Sequence, residues 1–278
     1  MAAELVWSGN YSVTAPAVVD GALIVASATS GQLLRLGDDQ QLSVLLDTNG
    51  QPAAMAMDPQ TKDIFIADAA RQSIVKSEGG VVDAEAAPQL AQFLEQFEGQ
   101  PFRGPSGIAF DDAGELYFTD AGAFGDTGIH NARGGVYRTV QGRQQVVAMC
   151  PASLAHPAGI ACSSNGCVFV CELSANRVLR FAQRPVGVFH GSVFTQLSGG
   201  FGPMAVAVQP ETQDVYVAKY DFAGCSPQGI IAVFDGEGEA KGTIPLPGCE
   251  ITGLCFDGAT LYVTERGNIY RIDTSKVV

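Results

Sequence analysis

The sequence predicts an all-β fold, a six-bladed β-propeller of four-stranded antiparallel blades, on three observations. Six segments share one pattern, a small or proline-bearing start, a short apolar run, a turn, then a second apolar run closed by a polar residue. They read TAPAVVDGALIVAS (14–27), QPAAMAMDPQTKDIFIAD (51–68), GPSGIAFDDAGELYFTD (104–120), HPAGIACSSNGCVFVCE (156–172), GPMAVAVQPETQDVYVAK (202–219) and EITGLCFDGATLYVTE (250–265). A third apolar run follows each pair, as in GQLLRLG, QSIVKSE, GGVYRTV, NRVLRFA, GIIAVFD and GNIYRID. The units recur at roughly 40–50 residues, the repeat length of propeller blades.

Each element has a local reason. Asp112, Ala113 and Gly114 turn the third copy between its two strands, and Asn165-Gly166 does so in the fourth. Asn-Gly is the strongest short hairpin signal, because both turn residues need positive φ. QLSVLLD, RQQVVAMC, SVFTQLS and AKGTIPLP supply fourth strands. The sixth copy runs out of chain after its third strand, near Asp273. The orphan segment Glu4–Ser8 (ELVWS) is expected to complete that blade, which closes the ring and leaves no free edge. The whole chain, 1–278, reads as one domain.

Two stretches break the spacing. In 79–104, Leu90, Phe93, Leu94 and Phe97 fall at i, i+3, i+4 and i+7, the face of a helix that Gly99 would end. That stretch reads as a short helix or an irregular outer strand against blade 2 or 3, or else as a lid beside the pore. The glycine-rich insertion AGAFGDTGIHNARGG (121–135) separates the second and third strands of the third copy and is long for a hairpin, so mobility is expected.

Composition narrows the function. Hydrophobic residues make up 46% of the 278, enough for a sizeable core, and the 33 glycines suit many tight turns. A net charge of −13 repels phosphate backbones and anionic lipid, so neither nucleic acid nor a membrane surface is an expected partner. No apolar run has the length of a membrane span, and MAAELVWSGN lacks the pattern of a secretory signal. Seven cysteines, with no Cys-x-x-Cys pair beside a histidine cluster, read as buried reduced thiols rather than a zinc site. A cytoplasmic or other reducing compartment follows as an expectation.

The six copies align Ala15, Ala53, Ser106, Ala158, Met204 and Thr252 at equivalent places on the inner strands, where a propeller keeps its chemistry. This ring holds no carboxylate, amide or imidazole. A second ring ends the second strands: Ser27, Asp68, Asp120, Glu172, Lys219 and Glu265. Carboxylates at strand ends ordinarily accept backbone N–H bonds or pair with arginine, and Arg71, Arg177 and Arg266 follow Asp68, Glu172 and Glu265. For residual acid–base chemistry, Asp120, Glu172 and Glu265 are the candidates. His130 and His156 lie in loops, with His156 two residues before Ala158. Phe102 and Arg103, just before Ser106, are expected to rim the mouth.

The stretch FEGQPFRGPSGIAFDDAGELYFTDAG, followed by GGVYR, resembles the SMP-30/gluconolactonase family, as do PAGIACSSNGCVFVCELSANRVLRF, GPMAVAVQPETQDVYVAKY and ITGLCFDGATLYVTE. NHL-repeat propellers, which share the Pro-x-Gly-Ile-Ala element, are the nearest confusable group. The resemblance implies a six-bladed propeller. In members that hydrolyse lactones or phosphoesters it further implies one divalent ion, usually calcium, at the pore. Carried over by position, the family's metal-binding Glu falls on Ala15, its Asn residues on Ser106 and Ala158, and its Asp, ligand and base, on Met204. Gly253 stands where an Asn often follows Thr252. Calcium takes about six to eight oxygens, with carboxylates balancing its charge. Neither a metal nor another cofactor is therefore expected.

Two functional readings follow. The first is a non-catalytic propeller binding a protein partner or a small apolar ligand at its loop face, through Phe102, Arg103, Ser106, His156, Met204 and Thr252, either alone or as one subunit of a larger complex. The second is an enzyme, a lactonase or esterase with a relocated site, or a metal-free catalyst resembling strictosidine synthase relatives that works through a carboxylate.

Overall fold

Apolar runs without alternation fold as strands buried on both faces, and the second strand of each repeat is such a run. Ile64–Asp68 and Leu116–Asp120 are buried along their whole length. The computed structural model describes residues 3–78, 89–222 and 228–276. It shows six four-stranded antiparallel sheets, each a simple meander from an inner to an outer strand. Blade 1 runs from Thr14–Val19 to Leu42–Asp47, blade 2 from Pro52–Met57 to Gln89–Leu94, and blade 3 from Pro105–Phe110 to Gln145–Leu154. Blade 4 runs from Pro157–Cys162 to Phe189–Gln196, and blade 5 from Gly202–Val208 to Ala240–Leu246.

Blade 6 is built from both termini. Its inner three strands are Ile251–Asp257, Thr260–Glu265 and Asn268–Asp273, and its outer strand is Glu4–Ser8. Leu5 pairs with Tyr270 and Ser8 with Asn268. Trp7 is only 8% exposed, packed with Val13, Val25 and Ile269 between blades 6 and 1.

The core is divided in the same way as the sheets. Six apolar clusters lie one between each pair of neighbouring blades, from Ile24, Leu33, Ile64 and Ile66 between blades 1 and 2 to Tyr216, Ile231, Leu261 and Val263 between blades 5 and 6. Each blade thus buries one face against the blade before it and one against the blade after it. No blade can bury both faces alone, so the closed ring is the unit of stability.

The helical spacing of Leu90, Phe93, Leu94 and Phe97 does not produce a helix, and the outer-strand alternative, against blade 2, is the one realised. Gln89–Leu94 is the outer strand of blade 2, paired with Ser73–Glu78, and Gln96–Phe97 forms a short ladder with Gln100–Pro101. Phe93 meets Phe65 edge-on at 4.9 Å, and Phe97 lies 5.2 Å from Tyr137. The third strand of blade 2 offers an unpaired edge, and pairing that edge outweighs the local periodicity. Residues 79–88 of the same stretch lie outside the described residues. Among the described residues, no helix is long and apolar enough to cross a membrane.

Candidate functional site: the central cavity

Every inner strand carries the same irregularity. The pairing slips by one residue between Thr14 and Ala17, Pro52 and Ala54, Pro105 and Gly107, Pro157 and Ile160, Pro203 and Ala205, and Ile251 and Gly253. The slips fall on Ala15, Ala53, Ser106, Ala158, Met204 and Thr252. A bulge inserts an unpaired residue and re-aims its side chain, and all six of these residues line one cavity on the propeller axis. Small neighbours let the strands converge there. A Cβ on Gly253 would meet Pro16 Cδ at 2.3 Å, and one on Gly107 would meet the Ala158 carbonyl oxygen at 2.3 Å.

The cavity measures about 370 Å³. Its wall is mostly alanine, glycine and aliphatic side chains, with Met55, Met204, Phe124 and His156 the large or polarisable groups and Ser12, Thr14, Gln51, Ser106 and Thr252 the polar ones. The two hydroxyls of the ring are engaged in holding blades together. Ser106 Oγ donates to Pro157 O at 2.8 Å, from blade 3 to blade 4, and Thr252 Oγ1 donates to Val13 O at 2.8 Å, from blade 6 to blade 1. No carboxylate lies on the described wall. These side chains do not fit a divalent cation, which needs several free oxygens and negative charge. Among the described residues no cluster of His, Cys, Asp and Glu is arranged to hold a metal ion elsewhere.

The second ring sits at the same end of the blades but behind the wall, and none of its members lines the cavity. Asp68 accepts the Gln51 and Arg71 N–H groups, Asp120 those of Arg103 and Gly104, and Glu172 that of Ala155. Burial pushes the Asp120 carboxyl above the usual range, against those two N–H bonds and the Arg103 charge. Glu172 also takes Arg177 Nε at 2.6 Å, and Arg71 Nε is 3.9 Å from Asp68. Glu265 departs from this pattern, accepting Asn268 Nδ2 at 2.7 Å while Arg266 pairs with Glu250. Lys219 Nζ donates to Ser198 O, and Ser27 Oγ lies 3.4 Å from Thr29 Oγ1.

The mouth differs from the sequence-based expectation. Phe102 is 2% exposed and stacks edge-on against Phe118 and Tyr137 between blades 2 and 3. Arg103 is exposed on the surface, its backbone held by Asp120 and Gln72, and does not reach the wall. Aromatic packing claims Phe102 because the blade interface needs bulk there. The aromatic group at the mouth comes instead from the 121–135 insertion, whose single Phe, Phe124, is 57% exposed and on the wall. Phe124 lies 5.3 Å from Phe201, which lies 5.2 Å from Phe222, itself 52% exposed. A lone Phe in a long polar insertion was the signal for this group.

His156 completes the wall, with Thr127 buried behind it. His156 is 5% exposed, lines the cavity, and stands T-shaped to Phe124 at 5.3 Å. Its Nδ1 lies 3.3 Å from Thr127 Oγ1, and Thr127 Oγ1 donates to Ala121 O at 2.8 Å. Further bonds tie the insertion, from Asn131 Nδ2 to Asp126 O and from Ala123 N to Asp126 Oδ2. His130 is on its exposed side.

A six-bladed propeller with an axial cavity opening among loops defines the class. Within that class, residues 15–267 match the model of the SMP-30/Gluconolactonase/LRE-like region, and the chain belongs to that family. Among solved structures it is similar to a gluconolactonase from Xanthomonas campestris, at 22% identity over 96% of this chain and 87% of that one, with a TM-score of 0.79. It is similar to a calcium-binding protein, regucalcin, from Agrobacterium tumefaciens, at 16% identity over 98% and 93%, with a TM-score of 0.75. A chain of a nidogen–laminin complex also matches, at 15% identity over 90% and 88%, with a TM-score of 0.66. At these identities the likeness concerns the fold. No curated protein sequence matches the chain.

Proposed function

We propose that this chain is a ligand-binding member of its family, whose axial cavity takes a small apolar molecule in place of a divalent cation. The lining carries this reading. Alanine, methionine and glycine occupy the places where the resemblance would put carboxylate and amide ligands, and the two ring hydroxyls already bind backbone carbonyls. A volume of about 370 Å³ with apolar walls and a few polar groups is typical of small-molecule sites. The test is thermal unfolding of the purified chain with calcium, zinc or manganese. Binding at 100 times the Kd would add about 2.7 kcal/mol. A saturable rise in Tm with any of the three ions overturns the reading, and an unchanged Tm supports it.

A second reading, a lactone or ester hydrolase, is favoured by the family match and by the gluconolactonase among its structural relatives. One fold hosts many activities, so the site has to decide. Turnover of simple lactones or aryl esters that survives a chelator would support it. Loss of that turnover in Glu265→Gln or in His156→Asn would then separate a carboxylate behind the wall from the imidazole on it.

A further inference from the structure

His156 is the one ionisable side chain on the described cavity wall, and its surroundings fix its chemistry. Its backbone is pinned, with φ at 56° and its carbonyl accepting the Leu173 N–H at 3.0 Å. Thr127 is 1% exposed, and its single hydroxyl proton goes to Ala121 O at 2.8 Å. The Thr127 oxygen facing His156 Nδ1 at 3.3 Å is therefore an acceptor. A neutral imidazole that donates from Nδ1 carries its lone pair on Nε2. Burial, partly opposed by the charge of Asp126, holds the ring below its ordinary pKa and so in this neutral form.

The rest of the wall selects what that lone pair meets. Phe124 stands beside His156 as an exposed ring face, continued outward by Phe201 and Phe222. The same wall carries aliphatic groups, the Gln51 amide and the Met204 thioether, a good partner for aromatic rings. No Arg or Lys reaches the described wall to meet an anion, and no carboxylate to meet a cation. The chain's net charge of −13 further disfavours anions.

We propose that the cavity binds a neutral aromatic molecule bearing one O–H or N–H group, with its ring against Phe124 and its proton donated to His156 Nε2. Thr127 is the positioning residue that holds the imidazole in the accepting tautomer. This rests on the apolar-cavity reading above and names the ligand class of the same site.

The experiment titrates the full chain by calorimetry with 4-ethylphenol and with its methyl ether, 4-ethylanisole. The two probes differ in the donor proton. The phenol is expected to bind about tenfold tighter, the discrimination of a single buried hydrogen bond. His156→Leu should bring the two affinities together, and Phe124→Ser should weaken both several-fold. The ¹⁵N shifts of His156 should report a proton on Nδ1, and Thr127→Val should move that population towards Nε2–H. Equal affinity of the two probes for the unmodified chain overturns the inference while leaving the apolar cavity standing. Failure of both probes to saturate overturns the inference and the apolar cavity together. A proton found on Nε2 in the unmodified chain overturns the role of Thr127. The probe comparison and the ¹⁵N measurement need no variant, so a variant that fails to fold leaves the test intact.

Discussion

Thr252 Oγ1 donates to Val13 O across 2.8 Å, while Thr14 Oγ1 donates to Thr252 O across 3.2 Å. This reciprocal pair joins the last blade to the first, between residues at opposite ends of the chain. Ser106 makes the equivalent link from blade 3 to blade 4. The hydroxyls that remain in the central ring therefore hold the wheel shut. Thr252→Val keeps the shape and leaves Val13 O without its side-chain donor. A loss of about 1–3 kcal/mol is expected, read from urea unfolding. No change in midpoint would mean that another donor serves Val13 O.

The N-terminal strand closes the same junction from the outside. Removing residues 1–9 takes away the partner of Asn268–Asp273 and the Trp7 ring from its cluster. A sharp fall in Tm and new aggregation through the bared edge are expected, since unpaired edges template association. Trp7→Ala alone should cost about 3–5 kcal/mol. A truncated chain that melts with the full one argues against this closure.

The strand-end acids give a clean contrast between support and catalysis. Glu172→Ala leaves the Ala155 N–H without its acceptor and Arg177 without its carboxylate. Stability should fall by about 1–3 kcal/mol, most of it from the orphaned buried N–H, since Arg177 is partly exposed to solvent. If Glu172→Gln keeps the unfolding midpoint and abolishes a measured hydrolysis, Glu172 acts on substrate.

Acid should weaken the fold in two stages. His156 is held below its ordinary value of 6.5 by burial, so the unfolded chain takes up that proton first as pH falls. Stability then declines below 6.5, and His156→Asn should remove that part of the decline. Burial raises the Asp58 carboxyl, but hydrogen bonds from Arg143, the Gln60 N–H and Thr61 outweigh it and hold Asp58 below 3.8. Its contribution is complete above 3.8 and is lost as pH falls through the lower folded value. Urea midpoints at about pH 7.5, 5.5 and 3 separate the stages. A flat profile between the first two would rule out the assignment to His156.

The fold and the ring were legible in the chain because propeller blades are local. Each is a meander of consecutive hairpins, and a ring residue sits at a constant offset from its hairpin turn, so alignment of the repeats recovered Ala15, Ala53, Ser106, Ala158, Met204 and Thr252. The closing role of Glu4–Ser8 was legible for a related reason, since a sixth blade short of one strand needs an edge partner. Tertiary structure alone decided the rest. Leu90, Phe93, Leu94 and Phe97 carry a helical period that left helix and outer strand both open, and an unpaired sheet edge decided for a strand over 89–94. Phe102 and Phe124 are both apolar beside the third blade, but only packing tells which fills an interface and which faces the mouth. Thr127 meets His156 across 29 positions of chain, through a loop whose path no periodicity encodes. Repeating hydrophobicity specifies which strands pair, whereas loop contacts depend on backbone paths that exist only once the ring has closed.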